Sequence, residues 1–358
     1  MTLKAFLGMP EPLRSAEKNR VSSCKLADEI ASAVITKFRQ LMPETPHQIV
    51  LAGIAAVISG ESVQVVTIGL GNKFQPRGVK SDTNLRDCHA EILARRAFKL
   101  WLLRQYEVLL NGGTSRFFYI SSERKLVVDP DVSFSLYVSS CPCGNACIRR
   151  WGDSPKERSE TQLGAYTFPL HNRHAVFHAH ARHEGQLAVS YKGESSILSC
   201  SDKILGWNVK GLQGTGLSGI VATPIYLKAI VIGRKFVRKH SERAFCCRLT
   251  AKGVHKDLVR VVNHPIMMCT AVKLDESVFN TSRNDERDAA FSDEAMWWIY
   301  GSDSPHVLNG DSGSLRDGTY SELSRASLSK IGIKLRIIPP LADQLRISNM
   351  LDYELNKL

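Results

Sequence analysis

The stretch Asp87-Cys88-His89-Ala90-Glu91 decides the fold of this chain. A histidine two residues before a glutamate offers an imidazole for a metal ion and, beside it, a carboxylate for proton transfer. Two later segments, Pro142-Cys143-Gly144 and Ser199-Cys200-Ser201-Asp202-Lys203, each add a cysteine. One imidazole and two thiolates form a catalytic zinc ligand set in which the fourth position is left to water.

Several cysteines are candidates for the two thiolate positions. Cys141, Cys143 and Cys147 are close in sequence, and a structural zinc site could use all three with Cys200. Three residues separate Cys143 from Cys147, whereas compact zinc deaminases pair their cysteines as Cys-x-x-Cys. The spacing therefore points away from the cytidine-deaminase pattern. We expect Cys88 to be a small buried residue.

Two further segments, Ala94-Arg95-Arg96 and Trp207-Asn208, extend these motifs. Together the motifs resemble the deaminase domain of the adenosine deaminases that act on RNA, from about residue 28 to residue 330. The resemblance implies an α/β fold, with a cytidine-deaminase-like mixed sheet flanked by helices and extra helical elements. The tRNA-specific branch is the nearer one, since no separate double-stranded-RNA-binding domain precedes the motifs.

The resemblance implies zinc-dependent hydrolytic deamination of adenosine to inosine in tRNA, at an unpaired or flipped anticodon-loop base. In this family the second thiolate comes from a distant segment. The expected metal ligands are therefore His89, Cys143 and Cys200, with Cys141 as the first substitute. Glu91 is the expected catalytic residue, which carries a proton from water to the ring nitrogen and then to the departing amine.

The resemblance also implies a buried inositol hexakisphosphate. The residues expected to bind this cofactor are Arg95, Arg96, Lys203, Trp207, Gln213 and Lys330. Asp87, together with Lys203, would form a polar relay between the cofactor and the metal. Six phosphates require a dense set of Arg and Lys donors. From the residues alone, an ordinary solvated helix face is the favoured interpretation of Arg95 and Arg96.

The chain departs from the family pattern in two places. Gly206 stands where the editing enzymes carry an arginine that faces the polyphosphate. Beyond Lys330 the resemblance cannot be followed, and residues 336–358 read as a divergent tail that has no tryptophan and, of tyrosines, only Tyr353. We expect weaker retention of the polyphosphate for this reason. The alternative function is a catalytically impaired RNA-binding or regulatory protein that keeps the deaminase fold.

The charge balance favours a polyanionic partner. The chain has 358 residues, 47 Lys plus Arg against 35 Asp plus Glu, and a formal net charge of +12. Such an excess favours nucleic acid, here tRNA, although charge alone is equally compatible with a merely basic surface. Deamination of free nucleosides is disfavoured by this charge and by the chain's size. No obligate protein partner is expected. The expected RNA contacts are Lys73, Arg77, Lys80, Arg149 and Arg150.

Cysteine content and hydropathy bear on location. Nine cysteines are an odd number with irregular spacing, which favours a reducing compartment, the cytoplasm or the nucleus. No run approaches the ~20 apolar residues that span a bilayer. We expect residues 1–22 to be a flexible leader, because Pro10 and Pro12 interrupt any helix there.

The main domain is predicted to span residues 23–335. Patterning predicts a helix over 28–41, strands over 63–68, 134–138 and 226–233, and a helix over 145–151; the apolar run 49–58 is ambiguous between helix and strand. Residues from about 150 to 194 form a polar insertion with five histidines. This insertion is interpreted as a solvated segment rather than a second metal site, because no cysteine punctuates it at ligand spacing.

Overall fold

The computed structural model describes residues 13–44, 49–59, 63–75, 82–147, 165–169, 176–180, 190–192, 197–247, 262–274 and 293–335. Its helices are α1 (Leu13–Leu41), α2 (Ala90–Leu110), α3 (Cys200–Lys210), α4 (Arg238–Phe245) and α5 (Arg325–Lys334). Its strands are β1 (Leu51–Ile58), β2 (Gln64–Leu70), β3 (Phe118–Ile120), β4 (Leu126–Val128), β5 (Val132–Val138), β6 (Ala165–Pro169), β7 (Val176–His180), β8 (Ser190–Lys192), β9 (Leu227–Ile232), β10 (Ile266–Cys269), β11 (Glu294–Ile299) and β12 (His306–Asn309). Short 3₁₀ turns cover Asn145–Cys147 and Thr215–Ile220.

Seven strands form one mixed sheet in the order β10-β9-β5-β1-β2-β11-β12. The pairs β5–β9 and β9–β10 are parallel, whereas β1 pairs antiparallel with both β2 and β5. The strands β1, β5 and β9 are almost entirely buried, as expected for a sheet covered on both faces. The expected α/β fold with a mixed sheet and flanking helices is confirmed.

Helices cover both faces of this sheet, and glycines allow close contact on each. At Gly69 of β2, a Cβ atom would lie 2.2 Å from the Ala90 carbonyl oxygen, so α2 packs directly on this strand. At Gly53 of β1, a Cβ atom would lie 2.7 Å from Val34 of α1 on the other face. Two hydrophobic cores result, one beneath α2 and α3 and one beneath α1.

Helix α1 extends into the segment expected to be a leader. It begins at Leu13, so the backbone of residues 13–22 is helical, while residues 1–12 lie outside the described part and the flexible leader stays a prediction. Pro10 and Pro12 precede the helix, and residues 13–41 contain neither proline nor glycine. Prolines just before a helix do not remove any of its hydrogen bonds. No described helix is long and apolar enough to cross a membrane.

The other elements resolve the remaining local predictions. The ambiguous run 49–58 is strand β1, and the strands expected over 63–68, 134–138 and 226–233 are β2, β5 and β9. Of the helix expected over 145–151, the described part shows only the 3₁₀ turn. Within the insertion the described backbone contains β6, β7 and β8, which form a separate antiparallel sheet, so this segment is not wholly irregular. The expected tail 336–358 lies outside the described residues.

Candidate metal centre and polyphosphate pocket

His89 lies at the junction between β2 and α2. It is the N-cap residue of α2, with extended backbone angles, and its side chain makes no capping hydrogen bond. Backbone bonds from Cys88 N to Lys73 O (3.0 Å) and from Ala90 N to Gly71 O (2.9 Å) hold the segment against the end of β2. The backbone of His89 is therefore held at the carboxyl end of β2, and its imidazole remains available to a metal.

Cys143 and Cys200 come from two segments that one serine joins. Ser201 Oγ donates to the Cys143 carbonyl oxygen at 2.7 Å and accepts from Ala146 N at 3.1 Å. Ser201 N also donates to Cys143 O at 3.0 Å. Cys200 is the first residue of α3, and its backbone N–H donates to Cys143 Sγ at 3.3 Å. A helix N-terminus thus points at the sulfur, where it stabilises negative charge.

The three expected ligand atoms converge. His89 Nδ1 lies 3.2 Å from Cys200 Sγ and 3.8 Å from Cys143 Sγ, and all three atoms lie within 4.8 Å of one another. Tetrahedral zinc with bonds of about 2.0–2.3 Å places its ligand atoms about 3.5–3.8 Å apart. The donor set and its spacing therefore fit zinc with a fourth position left for water.

The alternative cysteines point elsewhere. Cys141 Sγ donates to the Ala146 carbonyl oxygen at 3.4 Å, and Cys88 Sγ donates to Leu85 O at 3.6 Å within the core. Cys88 is fully buried, as the sequence predicted. The side chain of Cys147 lies outside the described part. The cysteines whose side chains are described form no disulfide.

Glu91 lies in the first turn of α2, buried beside the metal ligands, with 2% of its surface exposed. Burial raises the pKa of its carboxyl group, the nearby His89 lowers it, and the charge of Cys143 raises it. Its carboxylate also accepts a hydrogen bond from the Cys200 side chain. A carboxyl group with a raised pKa, placed against the ligands, is suited to accept and return a proton near neutral pH.

Asp87 and Lys203 connect the metal centre to a group of cations. The Asp87 carboxylate accepts from the His89 backbone N–H at 3.1 Å, and its other oxygen forms an ion pair with Lys203. Asp87 is only 6% exposed. Asp87 therefore joins the backbone of His89 to Lys203 of α3, and its role as a relay stays a prediction.

Arg95 and Arg96 lie on α2, one turn after Glu91. Arg95 Nε donates to Leu212 O at 2.8 Å, and Arg96 Nη1 donates to Leu323 O at 2.6 Å. Burial and the charge of Arg96 lower the pKa of Arg95 to about 9. Burial also lowers the pKa of Arg96, although the charge of Asp87 opposes this shift. Each arginine keeps some accessible surface.

Lys99 belongs to the same group, and sequence reasoning missed it. Burial, Arg95 and Arg96 together hold its pKa well below the ordinary value of 10.5. Its position four residues after Arg95 and three after Arg96 places it on the same helix face, which is the signal that could have found it. Three buried like charges repel one another unless an anion lies among them. This group fits a polyphosphate.

Of the other expected cofactor residues, Trp207 and Gln213 lie close to Arg95, whereas Lys330 does not share the burial of the cations. Trp207 stacks beneath the Arg95 guanidinium, 5.7 Å from ring centre to carbon, which fixes the direction of that side chain. Gln213 is fully buried, but its amide accepts from Ile225 N and donates to Lys210 O, so it shapes the backbone beside Arg95. Lys330 is exposed on α5, unlike the buried cations.

Among the expected RNA contacts, only Lys73 falls in the described part of the chain. Lys73 forms ion pairs with Asp293 and with Asp311, the second at 3.2 Å. These two carboxylates would compete with a phosphate for the ammonium group, and the RNA contact at Lys73 stays a prediction. The others lie outside the described residues, namely Arg77, Lys80, Arg149 and Arg150.

The comparison with protein families decides the identity of the domain. A family model described as the adenosine-deaminase (editase) domain matches residues 67–336, most of the chain. The chain belongs to this family. All the residues of the candidate metal centre and of the cation group lie within the matched range.

Individual relatives of this editase domain differ in length and name. The double-stranded RNA-specific adenosine deaminase of Rattus norvegicus is 31% identical over 302 residues, which cover 76% of this chain but 24% of the relative. The tRNA-specific adenosine deaminase 1 of Drosophila melanogaster is 29% identical over 56% of this chain and 54% of its own length. That of Saccharomyces cerevisiae is 24% identical over 74% and 77%. The chain thus spans about a quarter of the length of the double-stranded-RNA relative.

The matched range is smaller than the folded unit. It begins at Thr67 inside β2, so α1 and β1 precede it. Yet β1 is the central strand of the seven-stranded sheet, and α1 covers one of the sheet's two faces. The editase domain of this chain therefore requires residues upstream of the family match.

Proposed function

We propose that the protein is a zinc-dependent deaminase that converts adenosine to inosine in tRNA, at an anticodon-loop base. The observation that carries this proposal is the buried Glu91 carboxylate in contact with Cys200, beside the convergent His89 and Cys143. Relatives named tRNA-specific adenosine deaminase 1 support tRNA as the substrate class. They match this chain over more of their own length than the double-stranded-RNA relatives do.

His89, Cys143 and Cys200 would hold the zinc ion, and a bound zinc supplies a water molecule acidic enough to be partly hydroxide near neutral pH. Glu91 takes the proton of this water on its carboxylate and gives it to N1 of adenine. As the water oxygen adds to C6, this transfer leaves Glu91 ionised, so the carboxylate then takes the second proton from the new C6 hydroxyl. Glu91 gives that proton to the 6-amino group, ammonia leaves, and the C6 carbonyl of inosine forms. The pKa of Glu91, raised chiefly by burial, lets this carboxyl group hold the proton between the two transfers.

We also propose that Arg95, Arg96, Lys99 and Lys203 hold inositol hexakisphosphate. Their buried charges support this assignment, because desolvated cations require an anionic partner. Lys203 is the link to the metal centre through Asp87 and the backbone of His89.

The test is inosine formation in bulk tRNA by the zinc-loaded full chain, measured by mass spectrometry of nucleosides. The double variant Cys143→Ala/Cys200→Ala serves as the control that lacks the catalytic zinc ligands. We expect inosine with the wild-type chain and none with the control. Absence of inosine with a zinc-loaded wild-type chain would refute the enzyme proposal, and equal turnover of free adenosine would refute the tRNA assignment.

A further inference from the structure

A second group of thiol and imidazole side chains lies at the carboxyl end of α4, away from the candidate catalytic centre. Cys246 Sγ lies 3.4 Å from Cys247 Sγ, which lies 3.8 Å from Nδ1 of His264. All three ligand atoms lie within 4.8 Å of one another. The donor set, two sulfurs and one nitrogen, is the same as that of His89, Cys143 and Cys200.

We propose that Cys246, Cys247 and His264 form a second zinc site. Tetrahedral zinc with bonds of about 2.3 Å to sulfur and about 2.0 Å to nitrogen separates two sulfurs by about 3.8 Å and sulfur from nitrogen by about 3.5 Å. The observed separations lie within a few tenths of an ångström of these values. Small side-chain rotations would therefore complete the site without movement of the backbone.

One buried side chain sets the relative position of the two ligand segments. Asn208 of α3 donates from Nδ2 to the carbonyl oxygen of Phe245, the residue before Cys246, at 3.0 Å. Its Oδ1 accepts from Asn263 Nδ2 at 3.1 Å, and its backbone oxygen accepts from Asn263 N at 2.6 Å. Asn263 is the residue before His264 and also donates to Leu227 O at 2.9 Å. The ligands are thus held in register by a preformed clamp, as metal sites require.

The clamp residue Asn208 lies on the same helix as the catalytic ligand Cys200. Cys200 begins α3 and Asn208 lies eight positions later, a distance of about 12 Å along the helix axis. The two ligand segments are 17 positions apart in sequence between Cys247 and His264. A metal bound by both segments would hold them together in the folded chain. Its binding free energy would therefore add to the free energy of folding, which is a structural role.

Solvent reaches the site from one side. Cys246 is buried, its thiol donates to the Glu242 carbonyl oxygen at 3.2 Å, and burial raises its pKa. His264 is exposed. A metal can enter past His264, and water can fill the fourth position. The thiol protons leave when the metal binds.

The experiment counts zinc in the purified full chain after dialysis against a weak chelator. We expect about two zinc ions per wild-type chain and about one in Cys247→Ala/His264→Ala. The matched control is Cys269→Ala, which removes an exposed thiol at the end of β10 and should leave the count unchanged. A double variant that holds as much zinc as the wild-type chain would overturn the proposal, whichever total the wild-type chain shows.

Titration with cobalt(II) gives a second readout if the double variant folds poorly. Thiolate-to-cobalt absorption should need a second equivalent to saturate in the wild-type chain but not in the single variant His264→Ala. A chain lighter by two hydrogen atoms, with Cys246 bonded to Cys247 and no second metal, would instead show that the thiols oxidise. Neither readout depends on deamination, so failure of the proposed activity would not affect this result.

Discussion

Glu91 and His89 are two positions apart, and the helix start between them separates their roles. His89 caps α2 with an extended backbone and faces the two sulfurs, whereas Glu91 lies inside the first turn and is buried against Cys200. The three ligand atoms converge without Glu91, so its carboxylate is available for the proposed proton transfer.

Replacement of Glu91 by Gln should separate metal binding from turnover. The amide keeps the size of the side chain but cannot carry the proton, so we expect a loss of at least about 10²–10⁴-fold in inosine formation with zinc content unchanged. Zinc analysis and nucleoside mass spectrometry measure the two quantities. Glu107→Gln, on the same helix and away from the ligands, is the control. Full activity in Glu91→Gln would remove Glu91 from the mechanism.

Ser201 is predicted to act on the metal through Cys143. Ser201→Ala removes the bonds from Oγ to Cys143 O and from Ala146 N, so the loop that carries Cys143 loosens. We expect zinc affinity to fall about 10–100-fold, as for other residues that orient metal ligands. Competition with a chromophoric chelator measures this. Ser218→Ala, where the buried hydroxyl bonds only locally to Thr215 O, should leave affinity unchanged. Equal affinities would contradict the role of Ser201.

The metal ligands were expected through the family resemblance, because residue types and spacing alone left Cys141 and Cys147 as alternatives to Cys143. Ser201 and Lys99 were not, since their roles depend on neighbours that only the folded chain brings near. Ser201 resembles any helix-start serine until its partner, Cys143 O, is known. Lys73 shows the converse, because its ion pairs with Asp293 and Asp311 connect residues more than 200 positions apart.

At the scale of elements, α2 joins two sites on one rigid helix. Its first turn carries Glu91 next to His89, and the following turns carry Arg95, Arg96 and Lys99. The helix is buried along most of its length, so its cations cannot turn to bulk water. An anion bound beneath α2 therefore also stabilises the position of the metal centre.

Lys99→Met tests this arrangement. Without polyphosphate, removal of a buried charge that Arg95 and Arg96 repel should stabilise the fold by about 1–2 kcal/mol. With inositol hexakisphosphate added, the variant should gain less melting temperature than the wild-type chain, because one phosphate ligand is missing. Lys228→Met, which removes an exposed lysine of β9, is the control. An equal gain in the Lys99 variant would exclude Lys99 from the pocket.

The lowered pKa of Lys99 also predicts a pH dependence. In the range between that lowered pKa and 10.5, the unfolded chain holds a proton on Lys99 that the folded chain releases. Stability therefore rises with pH in this range. The difference in melting temperature between the wild-type chain and Lys99→Met should shrink as pH rises from neutral to about 10. Saturation with inositol hexakisphosphate keeps Lys99 charged and should remove the trend. A difference that stays constant with pH would count against a buried, charged Lys99.

The elements differ in how far patterning could predict them. The apolar run 49–58 has no period, so only pairing with β2 and β5 makes β1 a strand. Pro10 and Pro12 led us to expect no helix over residues 1–22. Both prolines precede Leu13, where α1 begins, so they do not interrupt it. In the insertion, β6, β7 and β8 pair with one another rather than with the main sheet, a local arrangement that a histidine-rich composition does not reveal.

At the scale of the whole molecule, the folded unit and the matched family range do not coincide. The central strand β1 precedes residue 67, and α1 protects the sheet face opposite α2. Deletion of residues 13–59 should therefore unfold the domain even though every metal ligand remains. Circular dichroism of the shortened chain measures this. A shortened chain that melts cooperatively at the wild-type temperature would contradict the role of β1.

The positive net charge of the chain bears on how it would bind tRNA. With a formal net charge of +12, the chain should bind tRNA through phosphate contacts that release counterions. Affinity should fall steeply, by about 10³-fold or more between 50 and 200 mM salt for six or more contacts. Lys73→Met should leave the salt slope unchanged, since Asp293 and Asp311 already compensate that charge. Filter binding at several salt concentrations measures both. A slope that falls by about one contact in Lys73→Met would confirm Lys73 as an RNA ligand, and binding insensitive to salt would reject tRNA recognition through phosphates.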